Sequence, residues 1–225
     1  MPSFDWIPLV QTGTAQECHD YEPLVGFGRE LVFCHPDSKT VVLGSTQRPD
    51  ILDLTEVERR GISTARRRSG GGLVMVEPGG QLWANLYIGP DDSLWVNDVV
   101  RAFDFLSVVT AKFLDSIGVN DYQVHERQGQ STSRAPRICF SGLGVSEAEV
   151  RGRKLTGVSQ RRRREYVCFQ FQCLFKDNQS ELLELLNFGP LPNERVEVVG
   201  LRDLGVDHEL TFLEKALFSA LSDCT

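Results

Sequence analysis

The sequence contains no uninterrupted apolar run of the roughly 18 residues that a membrane-spanning helix requires, so no span is expected. It has no C-x-x-C pair, and His19, His35, His125 and His208 do not fall at zinc-ligand spacing, so no metal site is expected. It has no basic surplus either: the formal net charge is −7, which argues against a nucleic-acid partner. The opening stretch MPSFDWIPLV lacks a basic segment followed by an apolar one, so no secretory signal is expected. Cys18, Cys34, Cys139, Cys168, Cys173 and Cys224 form no disulfide-framework pattern in 225 residues. They read as mostly inert thiols of a reducing cytoplasm.

What is present is the composition of an ordinary globular chain, 41% hydrophobic and 24% charged. A chain of this length can bury a core without staples. Strand-like and helical patterns are mixed along it, with no repeat and no linker. One α/β domain over residues 1–225 is therefore expected.

Local patterns fill in that outline. The apolar runs 31–33 and 40–43 flank a turn signal, His35-Pro36-Asp37-Ser38, and predict a hairpin. Residues 54–60 predict a short helix, capped by Asp53 or Thr55 and stopped by Gly61. The clearest helix is 98–117, where Val99, Phe103, Leu106, Phe113 and Ile117 recur at helical spacings between a cap at Asn97 and a stop at Gly118. A weak helix over 16–30 is interrupted by Pro23, Gly26 and Gly28. Strands are expected at 62–67, 73–76, 82–88, 147–151, 155–158 and 166–175, a loop at 125–137, and helices at 180–188 and 208–222.

One segment stands out chemically. Arg66-Arg67-Arg68-Ser69-Gly70-Gly71-Gly72 lies between two strand-like runs. Three consecutive glycines remove every Cβ from a tight bend, permit positive φ and let a ligand approach the main chain. Backbone N–H groups there can hold a phosphate or a carbonyl oxygen, and flanking arginines can neutralise an anion. Alone, the segment reads more simply as a hairpin tip with solvated arginines, because glycine turns are common.

Two further elements flank it: VVLGSTQRP at 41–49 and GRKLTGVSQRR at 152–162. The set resembles the lipoate–protein ligase / octanoyltransferase family, which shows a VxxGxxQ-x-P element, an RRxSGGGxV loop and a K-[IVL]-[ST]-G-x-[AS] element in this order. The matches are Gly44 and Gln47; Arg66, Arg67, Ser69, Gly70, Gly71, Gly72 and Val74; and Lys154, Leu155, Thr156, Gly157 and Ser159. The resemblance implies a mixed central β-sheet flanked by helices, a fold shared with biotin ligases and related to class II synthetases. It also implies transfer of a lipoyl or octanoyl group to a lysine of a lipoyl or glycine-cleavage carrier domain. The glycine loop, Gly44 to Gln47, Thr156 and Gly157 would then enclose the acyl chain. Lys154 would stabilise charge on the acyl oxygen; by composition alone it would be a solvated surface lysine.

Departures from the pattern bear on the chemistry. ATP-using members carry an Asn-Asp pair upstream of the lysine and His-Asp after the glycine loop; here Ser146-Glu147 and Val76-Glu77 stand there. The C-terminal accessory domain of the large ligases is not expected in a chain of this length. ATP and magnesium would be needed only on the ligase branch. The octanoyltransferases instead carry a cysteine at the distance that separates Cys139 from Lys154, and a thiolate there could accept an acyl group as a thioester. Arg137, Arg153 and Lys154 are the cations near it in sequence. The plainer reading of Cys139 is a buried structural thiol. The transferases' His-Gly pair is replaced by Phe171-Gln172, which leaves His125 as a substitute on chemical grounds only. Arg161 to Arg164 read either as a solvated turn or as a docking edge for an acidic carrier. A non-catalytic module that binds a lipoyl ligand or carrier is the alternative to an enzyme. A biotin ligase ranks below both, because RRRSGGG departs from the G-R-G-x-x-G-R-x-W loop.

Overall fold

The computed structural model describes residues 4–24, 28–126, 137–187, 189 and 196–224. Most of the polar stretch read as a loop, 127–136, lies outside them.

In chain order the elements are β1 (Ile7–Gly13), α1 (Ala15–Asp20), β2 (Arg29–Pro36), β3 (Thr40–Leu43), α2 (Leu54–Arg59), β4 (Ser63–Arg66), β5 (Val74–Val76), β6 (Gln81–Ile88), α3 (Asp104–Ser116), β7 (Tyr122–Val124), β8 (Ala148–Val150), β9 (Arg153–Lys154), β10 (Thr156–Arg162), β11 (Val167–Leu174) and α4 (Leu210–Ser222). Short 3₁₀ turns occupy Cys139–Ser141 and Ser180–Leu185, the latter where a helix was expected.

The main sheet runs β1-β2-β6-β11-β10, with β1 parallel to β2 and every other pair antiparallel. A smaller sheet, β4-β3-β5, pairs β3 parallel with β4 and antiparallel with β5. A third, β7-β8-β9, is antiparallel throughout. The expected mixed sheet flanked by helices is therefore present. The expected hairpin is not: β2 joins the main sheet and β3 the small one. The turn at 35–38 changes sheets rather than returning the chain on itself.

Period-two alternation assigns each strand a face. Leu31, Phe33, Leu82, Ala84, Leu86, Phe169 and Phe171 face α3 and α4, packing against Leu106, Val109, Phe113, Leu213 and Leu217. Val32, Cys34, Trp83, Tyr87 and Cys168 face the other way, against α1 and the small sheet's Val42, Val74 and Val76. Behind the small sheet, Val41, Leu43 and Met75 pack on α2's Val57 and on Leu182 and Leu185. The result is four layers: helices, large sheet, small sheet, helical segments. The candidate residues gather where the large and small sheets meet. No helix among the described residues is long and apolar enough to cross a membrane.

Candidate active site

The glycine loop is folded around one guanidinium. Arg67 follows β4 into the interior and is 3% exposed. Its Nε and Nη2 donate to Gly70 O at 3.2 and 3.0 Å, and Nη2 donates to Gly72 O at 2.7 Å. Burial pushes this guanidinium below its ordinary pKa, and the proximity of Cys139 pulls it partly back. Gly71 sits at φ +102°, and a Cβ there would lie 2.8 Å from Arg67 Nη2. A Cβ on Gly44 would lie 2.0 Å from Gly71 O, so these two loops meet main chain to main chain.

Arg66 and Gln47 brace that meeting. Arg66 Nη1 donates to Gly44 O and Gln47 O at 3.0 and 2.7 Å. Gln47 accepts from Gly44 N–H at 2.9 Å and donates to Arg137 O at 2.8 Å. Arg68 turns outward to Asp20 and Glu22. Of the three arginines only Arg67 reaches the cavity behind the loop.

That cavity opens to solvent and leaves about 30 Å³ accessible to a water-sized molecule. Val74, Val76, Trp83, Phe140, Val158 and Phe171 make its wall apolar. His19, Arg67, Cys139, Ser159, Gln170 and Gln172 supply the polar atoms, with Gly157 between them. Gly157 leaves room for an aromatic neighbour, since a Cβ would come within 3.0 Å of Phe140 Cζ. Ser69 stands behind this wall, donating to Gln170 Oε1 at 2.6 Å. Thr156 also lies behind it, accepting from Ala148 N–H at 2.7 Å.

Cys139 is tied to the glycine loop through its backbone. Leu73, directly after the glycines, donates to Arg137 O at 2.6 Å, and Cys139 N–H donates to Leu73 O at 2.8 Å. The thiol is partly exposed, unlike the buried Cys18, Cys34, Cys168 and Cys173. Burial pushes the thiol of Cys168 up to about 12, which suits the inert role expected of it.

Lys154 takes a place the sequence did not suggest. It is 3% exposed and lies outside the cavity lining, behind Phe140, whose ring centroid is 4.8 Å from Nζ. Its ammonium donates to Cys139 O at 3.1 Å and Gly142 O at 2.8 Å and pairs with Glu147 Oε2 at 2.6 Å. Glu147 also accepts from Gly144 N–H at 2.5 Å and Val158 N–H at 2.9 Å. In this arrangement Lys154 holds the backbone that carries Cys139, with its charge matched by Glu147. The exposed Arg153 and Arg137, which donates to Gly189 O, do not line the cavity. Among the described residues, Arg67 is the cation that shares a wall with the thiol.

His125 lies away from the cavity, 3.5 Å from Glu149. The cavity's own histidine is His19, which the sequence reading passed over. It sits on α1, a helix opened by a capping box: Thr14 and Glu17 each accept from the other's backbone N–H. The T-x-x-E signature was legible. Ala15, Cys18 and His19 form the helix's buried face. Burial, reinforced by Arg67, pushes the imidazole down to about 3, so it is neutral at ordinary pH. Among the described residues no group of three or more His, Cys, Asp or Glu side chains is arranged to hold a metal ion.

Residues 22–220 match the family described as the lipoyl protein ligase A/B catalytic domain. The chain belongs to that family. Within the lipoyl protein ligase A/B catalytic domain family, an octanoyltransferase LipM from Carboxydothermus hydrogenoformans is 26% identical over 79% of the chain. The chain spans 65% of that relative's length. A solved structure described as a bi-partite lipoate protein ligase of Thermoplasma acidophilum, from work on that ligase and its E2 lipoyl domain, superposes with TM-score 0.73. That match is 19% identical and covers 98% of this chain and 84% of the other. A lipoate-protein ligase A bound with ATP superposes with TM-score 0.74 at 20% identity, covering 99% and 85%. These two likenesses establish the fold.

Proposed function

We propose that the chain transfers an octanoyl- or lipoyl-type acyl group to a lysine of a carrier domain through a thioester on Cys139. The observation that carries this reading is a partly exposed thiol on the wall of a mostly apolar cavity, its backbone pinned by Leu73 and Lys154. The apolar wall suits a hydrocarbon chain. Cys139 Sγ gives up its proton and attacks the carbonyl carbon of a carrier-bound thioester. The donor's carbon–sulfur bond breaks and its thiolate leaves, taking up a proton. The ε-amine of the acceptor lysine then attacks the enzyme thioester, an amide forms, and the sulfur of Cys139 leaves and regains a proton from the amine. A free thiol in this role needs a reducing compartment, consistent with the cytoplasm.

An ATP-dependent route would form an adenylate, with ATP and its magnesium meeting a cation at the acyl carboxylate. The structure favours the thioester instead, because the Lys154 charge is already matched by Glu147. The acceptor would be a lipoyl or glycine-cleavage carrier domain. The arginine run offers it only part of its charge: Arg161 and Arg163 approach Glu22 at 3.3 and 3.7 Å, and Arg162 meets Val96 O and the Trp95 ring. Arg163 and Arg164 remain exposed for an acidic partner.

Incubation with octanoyl-carrier protein in the absence of ATP should add one octanoyl group to the Cys139 peptide, read by mass spectrometry. Cys139→Ala should abolish transfer to a lipoyl-domain lysine. An unmodified Cys139, with carrier acylation that requires ATP and releases pyrophosphate, would replace this reading with the ligase route. No acylation under either condition would leave only a binding module.

A further inference from the structure

Two nitrogens at the cavity have no hydrogen-bond partner although both are buried: His19 Nε2 and Arg67 Nη1. Their residues are 6% and 3% exposed, and both line the cavity that Cys139 lines. Burying a polar group unpaired is costly, so two at one cavity point to a guest that satisfies them. We infer that His19 Nε2–H and Arg67 Nη1–H are a pair of donors that bind the acyl carbonyl oxygen of the substrate at Cys139. The inference rests on the thioester reading for the identity of that oxygen.

The placement of the Gln170 amide fits the donor tautomer. Gln170 Oε1 accepts from Ser69 Oγ at 2.6 Å and from Ser159 Oγ at 3.1 Å. With its oxygen so engaged, the amide presents Nε2 to His19 Nδ1 at 3.0 Å. Nδ1 is then the acceptor, and the single proton of the neutral ring sits on Nε2. Register makes the relay exact in position: Ser159 is the β10 partner of Gln170 on β11. The imidazole is held from its face by Trp83, ring centroids 4.6 Å apart. The ring's low basicity, noted above, agrees with a donor and opposes a general base.

Chemically, the pair does what the acyl transfer needs. Charge builds on the carbonyl oxygen as sulfur adds to carbon. Fixed donors, one of them cationic, stabilise that charge more than the ground-state carbonyl. The role first sought for Lys154 passes to Arg67 and His19, while Lys154 positions the nucleophile. Gln170 is a positioning residue that acts through His19.

The test follows Cys139 acylation in a single turnover with octanoyl-carrier protein. His19→Phe, which keeps the ring and its place on Trp83, should slow acylation by about 10²-fold. His19→Gln, whose amide N–H can reach the Nε2 position, should recover part of the rate. Wild-type rates in His19→Phe would overturn the inference. Nitrogen NMR of the labelled wild-type imidazole gives an independent readout. A neutral ring protonated at Nε2, with a resonance that moves on octanoate addition, is expected. A proton on Nδ1, or no response to octanoate, would overturn the donor assignment. If the wild type never acylates Cys139, the thioester reading fails, and the NMR arm still decides the fate of the donor pair.

Discussion

Glu147 and Lys154 face each other at 2.6 Å with side chains only 5% and 3% exposed. Burying two ions is repaid only if their remaining lone pairs and protons are satisfied. Here they are satisfied, by two backbone N–H groups on Glu147 and two carbonyls on Lys154. Removing one partner leaves an uncompensated charge, so Glu147→Gln or Lys154→Met should each lose about 3–5 kcal/mol in urea unfolding. The double variant Glu147→Leu/Lys154→Met should lose clearly less than the sum. Strict additivity would show that the pair is not coupled. At this scale the sequence was half legible. Lys154 was singled out by the motif around it, and Cys139 by its spacing from Lys154. Glu147 was noticed only as a departure from an Asn-Asp pair. His19 was missed because its partners, Gln170 and Arg67, come from distant segments, and no local pattern records such a meeting.

At the scale of elements, helix caps were read correctly where their chemistry is local. Asp53 accepts from the N–H groups of Thr55 and Glu56 and opens α2, and Gly61 takes φ +65° just beyond it. Asp53→Ala should cost about 1 kcal/mol of stability in thermal or chemical unfolding. Acyl transfer should be unaffected, because α2 packs behind the small sheet, away from the cavity. A loss of activity without a loss of stability would contradict that placement. The cap of the long helix was misplaced by one residue: Asp98, not Asn97, accepts from Val100 and Arg101 N–H, and a 3₁₀ turn precedes α3. The hairpin at 31–43 failed for a different reason. Its turn residues are real turn formers, but β2 is buried on both faces and pairs with β1 and β6. Turn chemistry states where a chain bends and not which sheet it enters. β1 went unread because it contains Pro8 and lies at an exposed edge.

For the molecule as a whole, the layered packing makes the cavity's histidine a determinant of acid stability. His19 has a folded-state pKa depressed from 6.5 to about 3 by burial and by Arg67. Above about 6.5 both the folded and the unfolded ring are neutral, and stability does not depend on this group. As pH falls from there toward 3, the unfolded chain takes up a proton that the folded chain refuses. The unfolding constant should therefore rise by up to about tenfold per pH unit in that window. Comparing the pH dependence of unfolding for the wild type and His19→Phe isolates the effect. Equal slopes would show that the ring ionises freely in the folded state. Fold class was accessible from the sequence because mixed strand and helix patterns over 225 residues leave few layered solutions. The split into a large and a small sheet was not, since it depends on long-range pairing.

The bridge between Leu73 and Ile138 has one more implication. The residue after the glycines is bridged to the residue before Cys139, so the glycine loop and the Cys139 backbone are tied together. A substitution that loosens one of these two segments should therefore disturb the other.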